Sequence, residues 1–464
     1  MSLKIAKISS TNEKISGRGG LALFMRYVQN IGLYGLFLKI VLPALPNSNN
    51  KGLQLGQFIK QIIAFMMDGT DTSISSFDLR KSDVGYASLL ENREEDMASS
   101  HQIKRYFSKL SIVKDQIFIN ILHQLFLWRL QIEKPQIIEL GIDTMVLDND
   151  DAHKREGCEV TYKKKKGFQP LHICWGPFLV DVLFRKGSAH SNHGTDYIDR
   201  VRALVEFIRQ NYSPNVPIII CADSGFADQK AYEAFEEELD IHFITTGKLY
   251  KPTKEFVEGL PQENYQLIEK GKAIWHFAEL GNRLGSWSKF RRCIFTHLYR
   301  DQQGQYVMEL GKPDNLIYTN IGQCPKADKI LLNAAGGEHY FKAETIVRKS
   351  HARGADELIH RSIKELADKE QLPFSGFGMN RAYYLLLVVV HFIFEAYKRD
   401  VTAQVISTNS YPNTFRRKLI DFAVKISTRA RSTVMKVTNT VFQSINIVEL
   451  WRRCQSPPPI IASI

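Results

Sequence analysis

The chain has 464 residues, room for roughly two to four domains and a sizeable core. Hydrophobic residues make up 44% and charged residues 24%, which excludes a wholly disordered chain. The net charge of +12 points to a polyanionic partner, nucleic acid ahead of an anionic membrane surface. The six cysteines include no CxxC pair, so neither a zinc site nor a disulfide framework is expected. The opening "MSLKIAKISSTNEK" lacks the apolar core of a signal peptide. "GLYGLFLKIVLPALP" is broken by Lys39 and prolines, and "AYYLLLVVVHFIF" contains His391. A membrane span needs about 20 apolar residues, so both runs read as buried helices. The expectation is a reducing, cytoplasmic setting with no membrane partner.

Residues 1–130 read as a helical region. "QLGQFIKQIIAFMMDG" places Phe58, Ile62, Phe65 and Met66 at helical spacing, and Gly69 closes it. "SSHQIKRYFSKLS" starts on serine caps and sets Lys104, Arg105 and Lys109 around an apolar stripe. Two readings of it stand side by side: a DNA-contacting helix in a helix-turn-helix-like array, and a solvated basic face.

From about 135 the pattern becomes α/β. "QIIELGID", "PLHICWG" and "FLVDVLFRKG" predict three strands, the last two joined by a Gly-Pro turn. "TDYIDRVRALVEFIRQNY" predicts a helix with Ile198, Val201, Leu204, Val205 and Ile208 inward. "PIIICADSG" is a fourth strand, "QKAYEAFEEEL" a helix and "IHFITTGK" a fifth strand. Residues 249–345 hold short strand-like pieces, among them "KAIWHFAEL", "FRRCIFTHLY", "NLIYTNIG" and "KILLNAA", and predict an all-β insertion. Helix returns near 350–369 and again around 382–397. Between 414 and 454 nine Lys or Arg face two acids, a local basic surface.

Two acids occupy matching places. Asp143 ends the first strand and Asp223 the fourth, so neighbouring strands would present both carboxylates at one sheet end. Such a pair suits Mg²⁺ or Mn²⁺. In "HARGADELIHRSIKELADKE", Arg353, Glu357 and Lys364 share one helical face, opposite Ile359, Ile363 and Leu366. Taken alone, that face is equally an exposed ion-pair face. Asp181 lies mid-strand, Asp148, Asp150 and Asp151 crowd a loop, and Asp228 reads as a helix cap; all rank below Asp143 and Asp223. His190 and His193 in "HSNHG" read as loop residues.

Asp143, Asp223 and Glu357, in that order and on those elements, resemble the ribonuclease-H-like DDE transposases. The final helix resembles bacterial insertion-sequence transposases of the cut-and-paste group with a Tyr-Arg-Glu-Lys signature. Arg353, Glu357 and Lys364 fit its spacing; the Tyr position falls on Ser350, a departure. "IYTNIG", "GFQPLHICWG", "FRKGSAHS" and "CADSGFAD" also look like segments of that group, as does a β-rich insertion between the second Asp and the Glu. The resemblance covers roughly residues 135–400.

It implies a ribonuclease-H-like mixed sheet with helices over 131–248 and 346–400, interrupted by an all-β insertion at 249–345. An α-helical N-terminal DNA-binding domain at 1–130 and a basic 401–464 region for DNA contact or dimerisation complete the outline. It implies two Mg²⁺ (or Mn²⁺) ions held by Asp143, Asp223 and Glu357, with Asp143 bridging. It implies Arg353 and Lys364 on phosphates, Lys104 and Arg105 on double-stranded DNA, and Trp287 (or Trp275) against a flipped base. "KKKK" at 163–166 is either a backbone-tracking segment or a solvated loop. The activity implied is hydrolysis at the element's terminal inverted repeats, then attack of the freed 3′-OH on the opposite strand or on target DNA. The setting implied is a homodimer in a synaptic complex, in a nucleoid-associated bacterial protein. A nuclease of the same fold without strand transfer, and a domesticated DNA-binding protein, are the other readings.

Overall fold

In the computed structural model, residues 5–45, 52–189, 196–307, 314–367, 370–429 and 432–461 are described. His190 and His193 lie outside them. The chain divides into two compact units. One comprises Met1–Ile121, Lys154–Glu156 and Arg361–Ala462; the other comprises Leu122–His153 and Gly157–His360.

The second unit is built on a nine-stranded mixed sheet. In chain order its strands are β1 (Ile138–Thr144), β2 (Leu171–Trp175), β3 (Phe178–Leu183), β4 (Ile218–Ala222) and β5 (His242–Gly247). Then follow β6 (Gln266–Lys270), β7 (Ala273–Asn282), β8 (Arg291–Arg300) and β9 (Asp314–Thr319). Across the sheet they lie in the order β6-β7-β8-β9-β5-β4-β1-β2-β3. The predicted β2–β3 meander is antiparallel, and β1, β4 and β5 run parallel. The parallel pairs need crossovers, supplied by the helix Asp196–Asn211 and by the helical stretch from Gln229 to Glu238. The inward positions of Asp196–Asn211 are those its periodicity predicts.

Segment 249–345 is not the all-β insertion expected: it also holds the helices Lys251–Glu258 and Pro325–Leu332. Its strands pair into the same sheet, with β9 lying against β5. "KILLNAA" is helical within Pro325–Leu332, with Pro325 in the first turn and Asp328 accepting from the Gly322 and Cys324 amides. A short apolar run does not separate strand from helix by periodicity. One face of this extended sheet buries Ile219, Ile244, Ile294 and Ile317 against Leu331, Tyr340, Ile346 and Val347. Each such side chain contributes about 1.5–3 kcal/mol of burial.

The first unit is mainly helical. Leu55–Asp68 ends on Gly69 at φ +64°, the left-handed cap its sequence predicts. Ser100–Leu110 begins with a reciprocal Ser99–Gln102 capping box and buries Ile103, Tyr106, Phe107 and Leu110. Phe377–Tyr397 is almost wholly buried. Continued to Thr402, it is long and apolar enough to cross a membrane, yet 78% of its most apolar window is inside the protein. The basic C-terminal region forms a small sheet, Val424–Arg429 and Ser432–Val437 with Lys14–Ser16. Arg416 is not part of a basic surface: it is buried, and its guanidinium donates to the carbonyls of Met66, Met67, Glu365 and Leu366.

Candidate active site

β1 alternates buried and half-buried positions, so Ile138, Leu140, Ile142 and Thr144 face one side and Glu139, Gly141 and Asp143 the other. In the parallel β1–β4 pair, Gly141 is the register partner of Cys221 and Ile142 of Ala222. The next residues are Asp143 and Asp223, so both carboxylates sit at the C-terminal ends of neighbouring parallel strands. Asp143 Oδ1 accepts from the Thr144 amide at 2.7 Å, and Asp223 Oδ1 from the Gly225 amide at 2.8 Å. The latter bond starts the short turn Ser224–Phe226, which ends the strand.

The face of β1 carrying Glu139 and Asp143 meets residues 340–360. Glu139 accepts from the Tyr340 hydroxyl and pairs with Lys349, both on segments preceding the signature helix Gly354–Ala367. Arg353 Nη2 donates to the Ile142 carbonyl at 3.3 Å. His360 Nε2 lies 3.9 Å from Asp143 Oδ2. The sequence predicts one helical face for Arg353, Glu357 and Lys364, but Arg353 stands at the break between the helices Ala343–Ala352 and Gly354–Ala367; Glu357 is exposed, and His360 follows it by three residues on the second helix. Lys364 follows on that helix, within the first unit, and pairs with Glu370 at 2.9 Å. Ser350, at the position of the signature tyrosine, is buried.

Tyr162 was not singled out from sequence. Burial, and then the charges of Asp143 and Asp223, raise its phenol pKa. It lines a cavity of about 350 Å³ with Ser224, Gly225, Lys248, Tyr250 and Trp287. Trp287 is 6% exposed, edge-on to Tyr232 and Tyr318, and the Arg291 guanidinium lies 5.0 Å from its ring centre. Trp275 packs on His351, whose pKa burial lowers to about 4. In the first unit Lys104 and Arg105 are exposed on Ser100–Leu110, with Arg105 3.0 Å from His101.

Four of the lower-ranked acids have structural partners. Asp181 is buried, with His123 at 2.8 Å and Arg200 at 2.8 Å. Asp148 and Asp150 pair with Lys165, and Asp228 caps Gln229–Glu233. Among the described residues no three His, Cys, Asp or Glu side chains are gathered closely enough to hold a metal. Asp143 and Asp223 bring hard oxygens to one strand edge, the donor type that Mg²⁺ or Mn²⁺ takes. Sequence alone missed His172 and His360. The spacing of His360, three residues beyond Glu357 and seven beyond Arg353, was the available signal.

Residues 3–455 match the family described as "Transposase DDE domain group 1". No curated protein sequence matches the chain. Among solved structures the chain is similar to a piggyBac transposase synaptic complex with hairpin DNA, determined by cryo-EM. The two share 12% identity, with 96% of this chain and 85% of that chain covered and a TM-score of 0.41.

Proposed function

Because the chain belongs to the transposase DDE domain family, we propose that it is a bacterial insertion-sequence transposase with a ribonuclease-H-like core. In this reading it binds the terminal inverted repeats of its element, cleaves the ends, and joins the 3′-OH to target DNA. The observation that supports this most is the pairing of Asp143 and Asp223 at the ends of adjacent parallel strands, with Asp143 3.9 Å from His360 on the helix that carries Glu357. Ligands collect outside the carboxyl ends of strands in open α/β sheets, where backbone order leaves room for them.

Asp143, Asp223 and Glu357 would hold Mg²⁺ or Mn²⁺. Two such ions supply charge neutralisation at the attacking and leaving oxygens of an in-line displacement at phosphorus. Arg353 and Lys364 bind the phosphates beside the scissile bond; a guanidinium suits this because its fork matches two phosphate oxygens. Lys104 and Arg105 hold flanking double-stranded DNA through its backbone. The Trp287 cavity, which Tyr162 also lines, receives a base unstacked from the cleaved end. A homodimer bridges the two element ends.

The test uses the purified chain, Mg²⁺ or Mn²⁺, and DNA bearing the inverted repeats that flank its gene. Wild type should nick the ends and yield joined products, and Asp223→Ala should yield neither. Cleavage by Asp223→Ala at the wild-type rate overturns the assignment. Nicking without joining reduces the function to a nuclease, and binding without nicking reduces it to a DNA-binding protein.

A further inference from the structure

The signature helix brings a nitrogen donor to a site so far composed of oxygens. His360 Nε2 stands 3.9 Å from Asp143 Oδ2. The ring is held from behind: His172, the register partner of Asp143 on β2, is buried, and its ring centre is 5.4 Å from that of His360. A gap of 3.9 Å exceeds a hydrogen bond. It lies between the two spacings that donors take around one octahedral cation, nearer to the opposite one. With bonds of about 2.1 Å, adjacent ligands of an octahedral ion lie ~3.0 Å apart and opposite ligands ~4.2 Å. Just before this helix begins, Arg353 is tied to the Ile142 carbonyl, one residue from Asp143.

We propose that His360 is a nitrogen ligand of the divalent cation held by Asp143. This rests on the metal-binding reading of the carboxylates above. Imidazole is a softer donor than carboxylate and favours later divalent ions, whereas an all-oxygen cage suits Mg²⁺. The site should therefore bind Mn²⁺ more tightly than Mg²⁺, with the remaining positions left to water and substrate oxygens.

The experiment titrates the full chain, without DNA, with Mn²⁺ and reads the bound ion by pulsed electron paramagnetic resonance. Wild type should show ¹⁴N modulation from a coordinated imidazole. His360→Gln should lose that modulation and bind Mn²⁺ about tenfold more weakly. Asp143→Asn should abolish binding. Bound Mn²⁺ without ¹⁴N modulation in wild type overturns the proposal, and that result does not depend on any variant folding. Undiminished modulation in His360→Gln, with its melting curve unchanged, overturns it too. If Asp143→Asn binds Mn²⁺ as tightly as wild type, or wild type binds none, the metal reading itself fails. If Asp143→Asn loses Mn²⁺ while wild type shows no nitrogen, only the His360 assignment falls.

Discussion

Asp143 and Asp223 leave the sheet side by side: the residues before them, Ile142 and Ala222, are register partners in a parallel pair. A one-residue slip of either strand would turn its carboxylate to the opposite face. The alternation of Ile138–Thr144 guards against that slip, because it would carry Glu139 and Asp143 onto the buried face of Ile138, Leu140 and Ile142.

Arg353 combines a structural tie with the proposed phosphate contact. Arg353→Lys keeps the charge but removes the fork. It should lower the end-cleavage rate by about 10²-fold with little change in DNA affinity. A stopped cleavage assay with binding measured separately checks this. An unchanged rate with a lowered melting temperature would reduce Arg353 to an anchor of the signature helix on the Ile142 carbonyl.

Trp287 bears on both the core and the cavity. Trp287→Ala should cost about 3–5 kcal/mol of stability, read by denaturant unfolding, because Tyr232, Tyr318 and Arg291 all lose a packing face. Trp287→Phe should retain most of that stability while weakening the fluorescence change of 2-aminopurine placed at the cleaved end. An identical fluorescence change in wild type and Trp287→Phe would confine Trp287 to the core.

Arg416 gathers four backbone carbonyls from two segments. Removing its guanidinium strands buried acceptors, each costing about 1–3 kcal/mol. Arg416→Met should therefore destabilise the chain strongly, seen as an early unfolding midpoint. A near-wild-type midpoint would contradict the assignment of Arg416 to the interior.

His391 sets an acid limit. It is buried on Phe377–Tyr397, near Ser362 Oγ at 3.1 Å, Glu395 at 3.8 Å, and the cations Lys398 and Arg399. Burial first, then those cations, lowers its pKa to about 3. The unfolded chain binds a proton near pH 6.5 that the folded chain refuses, so stability is intact above pH 6.5 and declines below it. The slope this histidine adds is up to about 1.4 kcal/mol per pH unit. His391→Gln should flatten unfolding free energy against pH between about 6.5 and 4. An unaltered slope would show that His391 carries no such linkage.

The strand–helix order from 135 to 248 was legible because each element is short, apolar and punctuated by Gly, Pro or a capping acid. The place of Asp223 at a strand end was legible for the same reason: an apolar run ending on an acid followed by Ser-Gly. Pairing partners were not legible. Nothing local in β6–β9 says that they join the sheet of β5 rather than form their own. Arg416 looked like one cation in a basic tail, since only tertiary structure brings Met66 and Leu366 to it. His360 could be placed on a face by helical spacing, but its nearness to Asp143 depends on how that helix meets β1.

The return of β9 to β5 has a consequence for tolerance to insertions. Asp223 and the signature helix are separated by a long excursion through β6, β7 and β8, but the chain is re-registered on the sheet at Leu316–Thr319 before that helix begins. Loop length within the excursion is thereby uncoupled from the placement of Glu357. Connections there can grow or shrink, at a closure entropy that rises only by about 0.6 kcal/mol per doubling, without moving the third acid.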